Sequence, residues 1–170
     1  WIKNRDATDA HQLYDSSRGP LIDQQTNTNA TDSTTADGLQ KFLKGGFDIE
    51  DDVSINTVGE SYVAWNWHAN GGTTSANTDG SGATIASTIQ ANQTAGFSIV
   101  TFTGTGTAGA KVAHGLSQAP EWLWITSRSL TTGPKVYHHK NTAAPETDYL
   151  NLSGTDATFD SAWLNDTAPD

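Results

Sequence analysis

The chain has 170 residues, no cysteine, and 19 acidic against 9 basic side chains, which gives a formal net charge of −10. The absence of cysteine excludes disulfide scaffolds and thiolate metal sites, and the acidity argues against a nucleic acid partner, because phosphate binding needs a basic face. No apolar run reaches the roughly 18 residues of a membrane span. With 35% hydrophobic residues and 6 tryptophans, the composition predicts a folded domain and not a disordered acidic tail.

The N-terminal third of the chain predicts a polar loop and then a helix. The stretch from Asp23 to Asp37 is rich in Asn, Asp, Ser and Thr, which is typical of a long surface loop. Apolar residues recur at i, i+3 and i+4 between Asp37 and Lys44, which predicts a short helix ended by the following Gly-Gly pair.

An acidic cluster follows this predicted helix. Asp48, Asp51 and Asp52 lie close together in the sequence, with Glu50 between them. Calcium takes about six to eight oxygen ligands, so these three aspartates are candidate calcium ligands. A solvated acidic loop explains the same residues, and the spacing of an EF-hand is absent. We therefore expect a fold that requires no metal and no other cofactor.

Short runs of β-branched and aromatic residues, bounded by Gly, Asn, Asp and Pro, predict β-strands. Many short strands with Gly- and Thr-rich turns are typical of an all-β fold, and we expect an antiparallel β-sandwich or jelly roll with little helix. The clearest predicted strands lie at residues 61–67, 97–103, 121–126 and 135–138.

Two pairs of tryptophans give the sequence its candidate ligand site. Residues i and i+2 of a strand share a face, which places Trp65 beside Trp67 and Trp122 beside Trp124. Indole rings stack on the apolar faces of sugars, and exposed aromatic patches often mark binding sites. We expect Trp65 and Trp67 to be buried in the core. For Trp122 and Trp124 the pattern is equally compatible with a position in the core and a position on the surface. The candidate carbohydrate site therefore consists of Trp122, Trp124 and Tyr137.

Two similar segments indicate an internal repeat. Residues 1–5 (Trp-Ile-Lys-Asn-Arg) match residues 124–128 (Trp-Ile-Thr-Ser-Arg), and Leu13-Tyr14 matches Val136-Tyr137. Both matches have the same offset (124 − 1 = 123 and 137 − 14 = 123). A period of this length corresponds to one domain and not to a solenoid unit.

The composition between the two segments predicts how the copies are divided. Residues 70–82 have the Gly, Ser, Thr and Asn content of a linker. We therefore predict that residues 1–69 hold the back part of one copy and residues 83–170 the front part of the next. Neither part has a full set of strands, so we expect a permuted or strand-exchanged domain and, because the two repeated segments compete for one place, a homo-oligomer.

Further motifs are distributed along the chain: Ile2 to Arg5, Gly46 to Ile49, Tyr62 to Trp67, Gly96 to Gly106, His114 to Leu116 and Trp163 to Pro169. Together they resemble an uncharacterised, repeated domain of virion and tail-associated proteins from marine bacteriophages. The resemblance implies a β-sandwich and a virion or extracellular location. It supplies no catalytic residues.

The sequence predicts a protein that is not an enzyme. We expect a structural or adhesion segment of a phage virion or tail-associated protein, whose partners are neighbouring copies of the domain or other virion proteins. The alternative is a lectin-like module that recognises host surface glycans. A glycan or ester hydrolase is a third hypothesis, for which the sequence offers no catalytic triad and no paired-acid signature.

Overall fold

The computed structural model describes residues 1–69 and 82–170 and the backbone of Thr74 and Ser75. Strands dominate the described residues, and the pairings among them are antiparallel, so the all-β, antiparallel prediction is confirmed. The strands are β1 (Ile2–Asn4), β2 (Gln12–Asp15), β3 (Gly19–Gln25), β4 (Ser33–Thr34), β5 (Leu39–Leu43), β6 (Gly46–Ile49), β7 (Tyr62–Ala64), β8 (Thr74–Ser75), β9 (Ser87–Asn92), β10 (Phe97–Phe102), β11 (Trp122–Ile125), β12 (Lys135–His138), β13 (Asp148–Asn151) and β14 (Phe159–Asp160).

Helical structure is confined to three short elements of the described residues. They are the α-helix α1 (Val53–Asn56) and two 3-10 helices, η1 (Pro145–Thr147) and η2 (Ala162–Leu164). Over the described residues there is no helix with the length and apolarity needed to cross a bilayer.

The chain divides into two compact units, each assembled from separate segments. Unit 1 consists of Trp1–Asn66, Leu123–Tyr137 and Tyr149–Phe159, and unit 2 consists of Trp67–Trp122, His138–Asp148 and Asp160–Asp170. The predicted linker at residues 70–82 lies outside the described residues, apart from Gly82 and the short strand β8, which pairs with β9.

A five-stranded sheet with the order β4-β3-β2-β1-β7 forms the centre of unit 1. One face of this sheet contributes Ile2 and Tyr14 to a hydrophobic core, and Leu39 of β5 and Ile55 of α1 complete it. Helix α1 begins where Asp52 accepts a hydrogen bond from the backbone N–H of Ser54 (2.8 Å), which satisfies an otherwise unpaired donor.

The predicted helix at residues 37–44 is wrong, because this segment forms the hairpin of β5 and β6. Leu39 is buried in the core, whereas Phe42 and Leu43 are exposed, so the i, i+3, i+4 pattern does not correspond to one buried face. Gly45 adopts a φ of +85° in the turn, a conformation that side chains disfavour. The Gly-Gly pair therefore reverses the chain and does not end a helix.

The predicted loop from Asp23 to Asp37 is also wrong over part of its length. Asp23 belongs to β3 and is buried, and its carboxylate accepts hydrogen bonds from the hydroxyls of Ser33 and Thr35 (2.9 Å for Thr35). Polar residues that suggest a loop thus satisfy one another across β3 and β4.

Most residues of a second, four-stranded sheet also belong to unit 1, and its strands follow in chain order as β11-β12-β13-β14. Val136 and Tyr137 of β12 are buried. Strand β12 lies 123 positions after β2 (135 − 12 = 123), and each of these two strands is next to the strand that precedes it in the chain.

In unit 2, a three-stranded antiparallel sheet has the order β10-β9-β8. Ile89 and Ala113 form its small core with Val100. Gly115 has a φ of +71°, and a Cβ atom at this position would lie 2.9 Å from the Ile89 side chain, so the close approach requires glycine.

Candidate functional site

The face of the five-stranded sheet that points away from the Ile2 core carries aromatic side chains. Because residues alternate along β1, the buried Ile2 and Asn4 point to one face, and Trp1 and Lys3 to the other. Trp65 lies directly beside Trp1, since its backbone N–H donates to the Trp1 carbonyl oxygen (2.9 Å). This pairing brings two indoles together on neighbouring strands.

Four rings form an aromatic cluster on this face, namely Trp1, His11, Trp65 and Trp124. The ring centroid of Trp1 lies 4.9 Å from that of Trp65, 5.9 Å from that of His11 and 6.3 Å from that of Trp124. The Trp1 indole N–H also donates to the Thr26 hydroxyl (3.1 Å), which fixes the orientation of the central ring. Trp65 is 44% exposed and the other three rings are partly exposed, so the cluster presents aromatic surface to solvent.

Trp124 reaches the cluster because buried polar groups hold the segment that follows it. The Gln24 side-chain amide donates to the Thr126 hydroxyl (3.1 Å) and to the Ser127 carbonyl oxygen (3.3 Å). Arg128 donates from Nε to the Asp32 carboxylate (2.6 Å). These bonds join residues that are far apart in sequence, so Trp124 has a defined position in unit 1.

Two nitrogen-bearing side chains lie next to the aromatic rings. Antiparallel pairing of Ile2 with Gln12 places Lys3 opposite His11. The Lys3 ammonium donates to the carbonyl oxygens of Ala7 (3.2 Å) and Asp9 (3.4 Å). Burial, and secondarily the positive charge of Lys3, lower the pKa of His11 below 6.5. His11 is therefore neutral at pH 7 and offers one hydrogen-bond donor and one acceptor.

The lowered pKa of His11 predicts a pH-dependent stability. The unfolded chain binds a proton at His11 more readily than the folded chain, so stability falls as the pH decreases from about 6.5 through the folded-state pKa. We expect the melting temperature of the wild type to decrease more between about pH 7 and about pH 5 than that of the His11→Gln variant. Equal decreases in thermal melts of the two proteins would contradict the assignment.

The three residues of the candidate carbohydrate site differ in their exposure and contacts. Trp124 belongs to the aromatic cluster, whereas Trp122 is exposed and belongs to unit 2. Tyr137 is only 3% exposed, so its ring is part of the interior and presents no face to a ligand.

The expectation that Trp65 and Trp67 are core residues is wrong, because both indoles are about half exposed. Trp65 contacts Trp1 in unit 1 with its ring tilted by 31°, and Trp67 stacks on Phe97 in unit 2 at a centroid distance of 6.0 Å. Trp1 and His11 were not predicted as site residues, since only the strand register brings them beside Trp65.

The candidate calcium ligands do not converge on a common point. Asp52 caps α1, Asp48 lies on β6 opposite Lys41, and Asp51 is exposed to solvent. Across residues 1–69 and 82–170, no three His, Asp or Glu side chains form a group that could hold a metal ion.

Antiparallel sheets and a partly exposed aromatic face define the chain as an all-β protein with a candidate binding surface. A family model described as a domain of unknown function, DUF7483, matches residues 1–170, and the chain belongs to this family. No curated protein and no solved structure matches the chain.

Proposed function

We propose that the chain is a non-enzymatic adhesion module that binds carbohydrate at the aromatic cluster of unit 1. The observation that carries the proposal is the arrangement of Trp1, Trp65 and Trp124, three indoles that share a partly exposed surface. Folding normally removes such rings from water, and a grouped set of exposed aromatic rings is typical of a binding site.

The chemistry of the cluster suits a sugar ring. The apolar C–H face of a pyranose stacks on an indole, while its hydroxyl groups need hydrogen-bond partners at the edge of the stack. The neutral imidazole of His11 offers both a donor and an acceptor beside the Trp1 ring. An aromatic floor with a few polar groups at its edge is the usual composition of small-ligand sites.

We also propose that this module belongs to a phage virion or tail-associated protein, so that the carbohydrate is a glycan of the host surface. The resemblance of the sequence motifs to those of virion-associated domains supports this location. A net charge of −10 is compatible with this location, because a strongly charged surface favours solubility and an acidic one does not attract nucleic acid.

Glycan arrays that include bacterial surface polysaccharides, followed by titration of any positive glycan, test the proposal. We expect Trp65→Ala to weaken binding by about tenfold or more, because truncation of an exposed tryptophan that contacts the ligand costs more than about 1–2 kcal/mol. The backbone hydrogen bond between residues 65 and 1 does not involve the indole, so we expect the variant to fold, and circular dichroism checks this.

Trp67→Ala is the matched control, since Trp67 is exposed to a similar degree but belongs to unit 2. It should bind like the wild type. A loss of binding in Trp122→Ala together with normal binding of Trp65→Ala would move the site to Trp122. Silence on the array and on intact host cells would reject carbohydrate recognition.

A purely structural spacer is the second candidate, and the sequence repeat favours it. Strands β2 and β12 lie 123 positions apart (135 − 12 = 123), which is the offset of the two sequence matches. Tandem copies of one domain are a common way to build extended spacers. A spacer predicts no bound glycan and no functional effect of Trp65→Ala.

A further inference from the structure

The tip of the β5–β6 hairpin exposes apolar side chains between two lysines. Phe42 and Leu43 are exposed (Leu43 by 54%), and Lys41 and Lys44 flank them, also exposed. The positive φ of Gly45 closes the turn directly after Lys44. We call the four residues Lys41, Phe42, Leu43 and Lys44 the hairpin tip. It carries two lysines and two exposed apolar side chains on a chain that is strongly acidic overall, with Asp48 opposite Lys41 across the hairpin.

A second exposed apolar surface of unit 1 has acidic neighbours. Val53 of α1 and Val58 in the following turn are exposed, Val58 by 96%. Glu50 and Asp51, which immediately precede α1, are exposed as well. We call these four residues the acidic patch. Its composition complements the hairpin tip, with carboxylates where the tip has ammonium groups and valines where the tip has Phe42 and Leu43.

The apolar end of the hairpin tip is separated from the acidic patch of its own chain by the length of β6. Leu43 pairs with Gly46 at the closed end of the hairpin, and Leu39 pairs with Ile49 at the open end, from which the chain continues into the patch. At about 3.3 Å per residue, Leu43 at the closed end of the hairpin lies about 13 Å from Glu50 along β6, whereas Lys41 lies opposite Asp48, nearer to the patch. Each surface is therefore available to a different molecule.

From these observations we infer that the hairpin tip of one copy of the chain docks on the acidic patch of a second copy. The partner is another copy because the tip is basic while the chain carries a net charge of −10, and because the patch combines the required charge with exposed apolar side chains. Oppositely charged surfaces speed association and select the partner, and the apolar contact adds affinity.

Tip and patch are different surfaces, so the contact is head-to-tail. A head-to-tail contact leaves one tip and one patch free at the ends of every assembly and propagates unless a ring closes. The inference concerns assembly and is independent of carbohydrate binding, because neither surface includes a ring of the aromatic cluster.

Charge reversal tests this contact. The wild type should associate with increasing concentration at low ionic strength, as measured by light scattering and sedimentation velocity. We expect Lys41→Glu/Lys44→Glu and Glu50→Lys/Asp51→Lys each to weaken association by about tenfold or more, because attraction becomes repulsion at the contact. An equimolar mixture of these two variants should associate again, since each reversed tip then meets a reversed patch.

Lys111→Glu/Lys140→Glu is the matched control, because it makes the same change in net charge on exposed lysines of unit 2. It should associate like the wild type. Circular dichroism melts establish that each variant is folded. A wild type that stays monomeric, or a mixture that fails to associate, would overturn the inference. Flotation of a monomeric wild type with anionic vesicles would overturn it in favour of a lipid surface.

Discussion

Replacing Arg18 by methionine is expected to lower the free energy of unfolding by about 3–5 kcal/mol, because it leaves carboxylates without their buried cation. The Arg18 side chain is 4% exposed. It donates from Nε to Asp15 (2.6 Å), from Nη1 to Asp32 (3.2 Å) and from Nη2 to the Leu13 carbonyl oxygen (2.9 Å). All three nitrogens of its guanidinium group thus have defined acceptors. Chemical denaturation of Arg18→Met and the wild type measures the difference.

Arg128→Met is the matched control for this measurement. Arg128 contacts the same Asp32 carboxylate but is 50% exposed, and exposed ion pairs contribute only about 0–1 kcal/mol. We expect a loss within that range. If both variants lose the same free energy, burial does not determine the contribution of Arg18.

The second large effect is expected for Asn4→Asp, which exchanges an amide for a carboxylate at a buried position of nearly the same shape. The Asn4 Nδ2 group donates to the carboxylates of Asp9 (2.7 Å) and Glu60, and Oδ1 accepts from the backbone N–H groups of Asp6 (2.9 Å) and Ala7 (3.2 Å). A carboxylate retains the two accepted bonds, loses the donated bonds to Asp9 and Glu60 and places three carboxylates together. The Nδ2 group also lies 3.2 Å from the Tyr62 hydroxyl oxygen. We expect a loss of about 3 kcal/mol or more, since hydrogen bonds to charged groups contribute about 1.5–3 kcal/mol each.

Asn66→Asp provides the comparison for this variant. Asn66 is exposed, and its Nδ2 lies 3.5 Å from the Ala64 carbonyl oxygen, at the limit of a hydrogen bond. The same change in chemistry should therefore alter stability by less than about 0.5 kcal/mol. A small effect in both variants would show that Asp9 and Glu60 relax away from position 4 at little cost.

The sequence predicted strands where β-branched and aromatic runs are bounded by turn residues. Residues 97–103 and 135–138 illustrate this, because β10 and β12 occupy almost the same ranges. The hairpin at residues 39–49 was missed, because Leu39, Phe42 and Leu43 have the spacing of one helix face. The same spacing arises in a hairpin that buries Leu39 and exposes Phe42 and Leu43 near its turn. Only tertiary contacts separate these two cases.

The candidate site could be predicted only in part. A pattern of alternation places Trp122 and Trp124 on one strand, but it does not reveal that Trp124 meets Trp1, which is 123 positions away (124 − 1 = 123). That contact depends on the Gln24 and Asp32 bonds to residues 126–128, which no local rule indicates. Burial of Tyr137 likewise follows from long-range packing and not from the pattern of its own strand.

The segmented composition of unit 1 has a consequence for biosynthesis. Its central sheet is encoded within the first 66 residues, but the segments that complete the unit end at Phe159. During translation the early strands are therefore synthesised before their partners. The side-chain amide of Gln24 lacks its acceptors on Thr126 and Ser127 until more than a hundred further residues have been added. Contacts of such long sequence separation slow folding and prolong the exposure of apolar strands. The strands of unit 1 are thus exposed to aggregation until the segment Tyr149–Phe159 has left the ribosome.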